Sequence, residues 1–72
     1  MQDINFQLKT DYIDLLQLLK VTSIVMSGGE AKLLVDDGLI SVNGELESRR
    51  RRKLRVGDVV VFDDQVQISL IK

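Results

Sequence analysis

The sequence predicts an α+β domain in which two short helices pack on one side of a small, mainly antiparallel β-sheet. Three observations support this class. The chain opens with an alternating apolar pattern, two helical apolar stripes follow, and the second half contains two hairpin signals. Because no repeat, linker or low-complexity segment divides the chain, we expect residues 1–72 to form one domain.

The first strand and the first helix are predicted from apolar periodicity. Ile4, Phe6 and Leu8 alternate with polar residues, which is typical of a half-buried strand. A helical stripe then predicts a helix over residues 11–20, with Thr10 as its N-cap. The apolar residues of this stripe are Tyr12, Leu15, Leu16 and Leu19.

The second helix is predicted to begin after Ser27. The Ser27 side chain can cap the amide of Glu30, while the Glu30 carboxylate can reach back to the amide of Ser27. Met26 and Ala31 occupy the positions of a hydrophobic staple, and Gly38 is placed to end the helix in the left-handed conformation. The expected buried face consists of Ala31, Leu34 and Val35.

The second half of the chain is predicted to form two hairpins. Asn43-Gly44 follows the alternating residues 40–42 and is the strongest short signal for a two-residue turn, with a return strand that starts at residue 45. Residues 59–62 and 66–70 form the second predicted hairpin, joined by a turn at residues 63–65 and preceded by a turn at Gly57-Asp58.

Composition excludes several classes of function. The chain has no Cys and no His, so disulfides, thiolate metal sites and the usual nucleophile pairs cannot form. We expect no catalysis and no cofactor, because a 72-residue chain offers little volume for a deep cleft. The N-terminus lacks the pattern of a signal peptide, and the longest apolar run, Val59–Phe62, is too short to cross a bilayer. A cytoplasmic monomer is expected.

The charge distribution is strongly asymmetric. Residues 49–55, which we call the basic segment, carry a formal charge of +6, whereas the rest of the chain has four basic and eleven acidic residues and a charge of −7. Such a concentrated positive field favours a polyanionic partner. Arginine can grip phosphate through two parallel hydrogen bonds, which suits folded RNA. The six cations are Arg49, Arg50, Arg51, Arg52, Lys53 and Arg55.

The basic segment is also expected to leave the sheet. If Leu46 points to the core and the strand continues unbroken, Arg50 and Arg52 point inward as well. Because a buried unpaired charge costs several kcal/mol, residues 48–53 should form a loop or bulge. Strand pairing should resume near Leu54.

The start of the second helix is a second candidate anion site. Gly28 and Gly29 lie in the first helical turn, where free amides point outward and no side chain blocks a phosphate. Lys32 lies one turn further on the same side. Two alternatives remain open, since the glycines could simply shape a tight entry and Lys32 could pair with Asp36.

Together these segments resemble a known family. The stretches SGGEAKLLVDDGLISVNGE and ESRRRRKLRVGDVV, with LLQLLKVTSIVM before them, resemble the S4-type RNA-binding domain and its stand-alone YaaA/YbcJ-like branch. The resemblance implies a two-helix (alpha-L) motif on a small antiparallel sheet and binding of structured RNA, ribosomal or transfer, with the ribosome as a candidate partner. In this family the module is often attached to pseudouridine synthases or a tRNA synthetase, whereas residues 1–72 are expected to form this module alone, with RNA binding as its whole activity. The RNA-contact positions that it implies are Ser27, Lys32, Asn43, Arg49, Arg51 and Lys53, with Arg50, Arg52 and Arg55 enriching the pattern.

Two other classes of protein share parts of this pattern. A ubiquitin-like sulfur carrier would need a C-terminal Gly-Gly, but the chain ends Ser69-Leu70-Ile71-Lys72. A protein-interaction module would use the same arginines on an acidic partner in a translation-linked complex. A pull-down that survives RNase digestion would favour that second class over RNA.

Overall fold

The computed structural model describes residues 1–72, with two helices and seven strands. The helices are α1 (Leu15–Val21) and α2 (Gly28–Asp36). The strands are β1 (Gln2–Gln7), β2 (Ile13–Asp14), β3 (Ile40–Val42), β4 (Glu45–Leu46), β5 (Lys53–Leu54), β6 (Val59–Phe62) and β7 (Val66–Ile71). This content confirms the predicted α+β class.

Five strands form one sheet in the order β1-β7-β6-β3-β4. All of its neighbouring pairs are antiparallel except β1 and β7, which run parallel at one edge. The remaining strands, β2 and β5, pair antiparallel as a separate two-stranded sheet. The leading strand therefore lies at the edge of the main sheet, beside the last strand of the chain.

One face of the main sheet forms the core with both helices. Ile68 lies opposite Ile4 and Val60, and Val60 lies opposite Val42, so these residues form a row across the sheet. Val42, Val60 and Ile68 belong to the same buried cluster as Leu15, Leu18 and Leu19 of α1 and Ala31 and Val35 of α2, and the partly buried Ile4 packs against this cluster. Burying each large apolar side chain contributes about 1.5–3 kcal/mol. The two helices are thus held against a single sheet face. Neither helix is long enough and apolar enough to cross a membrane.

The first helix begins later than predicted. Asp14, not Thr10, is its N-cap, because the Asp14 carboxylate accepts a hydrogen bond from the Gln17 backbone N–H at 2.8 Å. Thr10 instead donates its hydroxyl to the Tyr12 carbonyl at 2.8 Å. Residues 13–14 pair with Lys53–Leu54, and Tyr12 is exposed rather than part of the buried stripe. The predicted start at residue 11 is wrong because this long-range strand pairing competes with the helix.

The second helix forms as predicted apart from its staple and the return hydrogen bond of its capping box. Ser27 accepts a hydrogen bond from the Glu30 backbone N–H at 3.3 Å, while the Glu30 carboxylate accepts from the Met26 N–H at 3.4 Å rather than from Ser27. The predicted staple is wrong, because Met26 is 88% exposed. Gly38 has a φ of 76° and, with Leu39, caps the C-terminal carbonyls in a Schellman arrangement.

The first hairpin confirms the turn but not the orientation of its return strand. Asn43 and Gly44 both have positive φ, as a two-residue turn requires. Leu46, which the parity argument assumed to face the core, is 69% exposed, because it lies opposite Ser41 on the outer face. The next residue, Glu47, lies inward and is only 5% exposed. The parity assumed for the return strand is therefore wrong.

The chain leaves the sheet where the basic segment begins. Strand β4 ends at Leu46, residues 47–52 belong to no strand, and pairing resumes at Lys53–Leu54. The predicted break and the resumption near Leu54 are confirmed, although Lys53 already belongs to β5. Leu54 is fully buried, so it anchors the far end of the segment in the core.

Candidate nucleic-acid interface

The basic segment connects the main sheet to the small sheet. Its first turn is closed by a hydrogen bond from the Arg52 N–H to the Arg49 carbonyl at 3.4 Å. The Arg52 carbonyl in turn accepts from the N–H of Leu15, the first residue of α1, at 2.9 Å. The segment is therefore tied to the start of α1 as well as to both sheets.

A buried carboxylate lies at the base of this segment. Glu47 accepts hydrogen bonds from the backbone N–H of Arg49 at 2.9 Å and from its Nε and Nη2 at 3.1 Å each. Nη1 of Arg52 donates to the same carboxylate at 2.8 Å. Both ends of the Arg49–Arg52 turn thus converge on one side chain.

These contacts keep Glu47 ionised. The hydrogen bonds from the Arg49 side chain lower the pKa of Glu47 from its ordinary 4.5 to about 2, outweighing the opposing effect of burial, and Arg52 adds to the lowering. The pKa of Arg49 is raised by the same pair. Two of the six cations are therefore bound to a fixed negative charge.

A third cation is paired with the last residue of α2. Arg50 donates from Nε and Nη2 to the two carboxylate oxygens of Asp36, at 3.1 and 2.6 Å. This bidentate pair lowers the pKa of Asp36. Both side chains are about half exposed, so the pair adds little to stability but fixes where the segment lies against α2. Asp36 is thereby engaged by Arg50, and it forms no ion pair with Lys32.

The other three cations have no carboxylate within ion-pair distance. Arg51 and Arg55 are exposed and make no salt bridge, and Lys53 places its Nζ 4.9 Å from the centroid of the Tyr12 ring. Together with Arg49 and Arg52 they line one shallow surface that contains no apolar residue. A ligand with several phosphates would meet five cations on this surface.

Asn43 lies next to the basic segment through Asp58. Its Nδ2 donates to Asp58 at 3.0 Å, and its Oδ1 accepts from the Val59 N–H at 2.9 Å. The other Asp58 oxygen accepts from the Arg55 N–H at 2.8 Å. Burial would raise the pKa of Asp58, but the hydrogen bonds from Arg55 and Asn43 hold it below its ordinary value. The side chain of Asn43 thus joins the two hairpins at the end of the basic segment.

The start of α2 lies apart from the residues that contact the basic segment. The basic segment contacts α2 at Asp36, about two turns or roughly 12 Å along the axis from Gly28. A Cβ at Gly28 would meet nothing within 4 Å, so the first turn is open to a ligand. The Glu30 carboxylate lies at the same terminus and would oppose an incoming phosphate.

The structure therefore unites part of the predicted residue set. It brings together the basic segment and Asn43, whereas no hydrogen bond or ion pair joins the segment to Ser27, Gly28, Gly29 or Lys32. Glu47 and Asp36, which hold three of the arginines, were missed as members of the site. The register of the hairpin indicates that Glu47 lies inward. Glu45 is opposite the inward-facing Val42 and shares its face, and Glu47, two residues further along, is on the same face as Glu45.

Comparison with known proteins agrees with this architecture. The chain is similar to the probable ribosome maturation protein RlbA of Bacillus subtilis, with 45% identity over 54 residues that cover 75% of this chain and 76% of the relative. It is 35% identical to YbcJ of Escherichia coli over 54 residues, which cover 75% of this chain and 77% of YbcJ.

A solved structure and a family model extend the comparison over most of the chain. The solution structure of Escherichia coli YbcJ, described as revealing an αL motif involved in RNA binding, matches with a TM-score of 0.67 and 34% identity, over 90% of this chain and 85% of that one. The family model described as the S4 domain matches residues 6–69. The chain belongs to the S4 domain family.

Proposed function

We propose that residues 1–72 act as one non-catalytic S4-like domain that binds structured RNA, ribosomal or transfer, through the basic segment. The observation that carries this proposal is the shallow surface of five cations, three of them free of carboxylates, in a chain whose remaining residues carry a charge of −7. Duplex and looped RNA present closely spaced phosphates that such a surface can neutralise. RNA is thereby drawn to one place on the molecule.

The relatives favour RNA over an acidic protein as the partner. The solution structure of YbcJ is described by a motif involved in RNA binding, and RlbA is named for ribosome maturation. We therefore propose that the RNA is ribosomal and that a monomer meets it on the ribosome or its precursors in the cytoplasm. The phosphate contacts are assigned to the basic segment, and Ser27, Gly28, Gly29, Lys32 and Asn43 are proposed as the flanking contacts.

RNA binding by the wild-type chain is expected to weaken steeply with salt. With three to four phosphates neutralised, log K should fall against log salt with a slope between about −2 and −3, or roughly twenty- to fiftyfold from 50 to 200 mM. Fluorescence anisotropy with a labelled ribosomal RNA fragment measures this slope. A slope near zero would contradict phosphate binding, and capture of a partner that persists after RNase digestion would favour a protein ligand.

Gly28→Ala is expected to separate the two candidate surfaces. The added Cβ meets no neighbour, so the fold should be unchanged or stabilised by up to about 1 kcal/mol. If phosphate reaches the amides at the start of α2, the methyl group hinders it and RNA affinity falls severalfold. Thermal denaturation and anisotropy together measure both effects. Unchanged affinity would remove the start of α2 from the site and leave the basic segment with Asn43 as the interface.

A further inference from the structure

A buried carboxylate at the base of a proposed RNA-binding surface is unexpected. Glu47 carries a negative charge directly beneath the basic segment, where it opposes the approach of phosphate. It is also the one buried charged or polar residue of the chain. An acidic residue in this place requires a role that outweighs the repulsion.

We propose that Glu47 is a positioning residue, whose carboxylate holds the Arg49–Arg52 turn in one shape so that Arg51, Lys53 and Arg55 are presented to phosphate. This inference rests on the proposed function. Its basis is geometric: four donors from the two ends of the turn, all between 2.8 and 3.1 Å, meet on a side chain that is almost fully buried. A buried acceptor with several directed donors has far less freedom than an exposed ion pair.

The need for such a residue follows from the composition of the segment. Six neighbouring cations repel one another, and residues 47–52 belong to no strand or helix. Without an internal counter-charge this stretch would sample many shapes, and ordering it on RNA would reduce affinity. Glu47 orders the turn before the ligand arrives.

The same geometry divides the cations into two groups. Arg49 and Arg52 direct donors inward to Glu47, and Arg50 directs two donors to Asp36. Arg51, Lys53 and Arg55 keep their charged groups free of carboxylates. The first group shapes the segment, and the second group forms the main phosphate contacts.

Comparison of Glu47→Gln with Glu45→Gln tests this role. Both substitutions remove one negative charge from the same hairpin, but Glu45 is exposed and makes no ion pair. Charge alone predicts equal or slightly tighter RNA binding for both variants. If Glu47 positions the turn, Glu47→Gln should bind a fluorescein-labelled ribosomal RNA fragment about tenfold more weakly than wild type, while Glu45→Gln does not lose affinity.

A second control, a variant outside the basic segment, tests whether a general loss of stability is enough to weaken RNA binding. Ile68→Val removes one methylene from the buried sheet face and should lower the melting temperature without moving the basic segment. RNA affinity is measured at a temperature where NMR spectra show every variant folded. Amide exchange of Arg49 and Arg52, whose N–H groups donate to the Glu47 carboxylate and to the Arg49 carbonyl, then reports order in the turn of the free proteins, and this protection should be lost in Glu47→Gln only.

Each outcome has one interpretation. Weaker RNA binding and faster exchange in Glu47→Gln alone support the positioning role. If wild type binds RNA but Glu47→Gln binds as tightly as Glu45→Gln, or if its turn stays protected, the inference is overturned while the proposed function stands. If wild type itself binds no RNA, both are overturned.

Discussion

Replacing Arg51, Lys53 and Arg55 together by glutamine is expected to weaken RNA binding about a hundredfold near physiological salt. Each phosphate contact that is lost removes about 0.7–0.9 from the slope of log K against log salt, so three contacts remove about two to three. The substitutions break no salt bridge. They remove the contact of Lys53 with the Tyr12 ring, worth about 0.5–1 kcal/mol, and the electrostatic attraction between Arg55 and Asp58. Anisotropy titrations at several salt concentrations measure both affinity and slope.

A matched variant separates the site from net charge. Replacing Lys9, Lys20 and Lys72 by glutamine removes the same three charges from exposed positions outside the segment. Because exposed charges beyond a Debye length are largely screened, this control should lose less than about threefold in affinity. Equal losses in the two triple variants would show that RNA responds to the overall charge and that the three cations are not a specific contact surface.

Features controlled by neighbouring residues were predicted well from the sequence. The start of α2 depends on Ser27 and its neighbours within four residues, and its end depends on Gly38 with a φ of 76°. The Asn43-Gly44 turn depends equally on its own two residues. In each case the hydrogen bonds that decide the structure lie within one turn of chain, so the residues themselves carry the information.

The first helix shows where local reasoning fails. Thr10 and Asp14 both offer an N-cap to the same apolar stripe, and local propensity does not decide between them. The choice is made by Leu54, forty residues away from Asp14, because its burial requires Ile13 to pair with it as a strand. A helix that began at residue 11 would remove that pairing.

For the candidate site, the sequence indicated which residues to consider but not how they are arranged. The charge asymmetry located all six cations, and the break in the strand was predicted from the cost of burying them. The assumption that Leu46 faces inward hid Glu47, although the two-residue turn places Glu45 and Glu47 on the face of Val42. The contact of Arg50 with Asp36 joins distant parts of the chain, and no local pattern indicates it.

Glu47 is also expected to make folding sensitive to acid in a defined range. Its pKa is near 4.5 in the unfolded chain and about 2 in the folded protein, so the folded state favours the ionised form. The resulting stabilisation is fully present above pH 4.5 and is lost as the pH falls toward 2. Asp36 and Asp58 also have lowered pKa values, so the wild-type profile alone does not isolate the contribution of Glu47.

The difference in the free energy of unfolding between wild type and Glu47→Gln isolates the contribution of Glu47. At neutral pH the variant leaves the partly buried Arg52 without its counter-charge. It should be less stable by about 2 kcal/mol, which is below the roughly 3–5 kcal/mol expected for a fully buried pair because Arg49 remains largely exposed. For a domain of this size that lowers the melting temperature by about 10 °C. Because wild type loses the ionised form of Glu47 and the variant has none to lose, the gap in denaturation free energy should close between pH 4.5 and 2. The stability of Glu45→Gln, which removes an exposed carboxylate, should stay close to that of wild type at every pH. If the stability difference between wild type and Glu47→Gln persists unchanged at pH 2, packing and not charge makes Glu47 necessary.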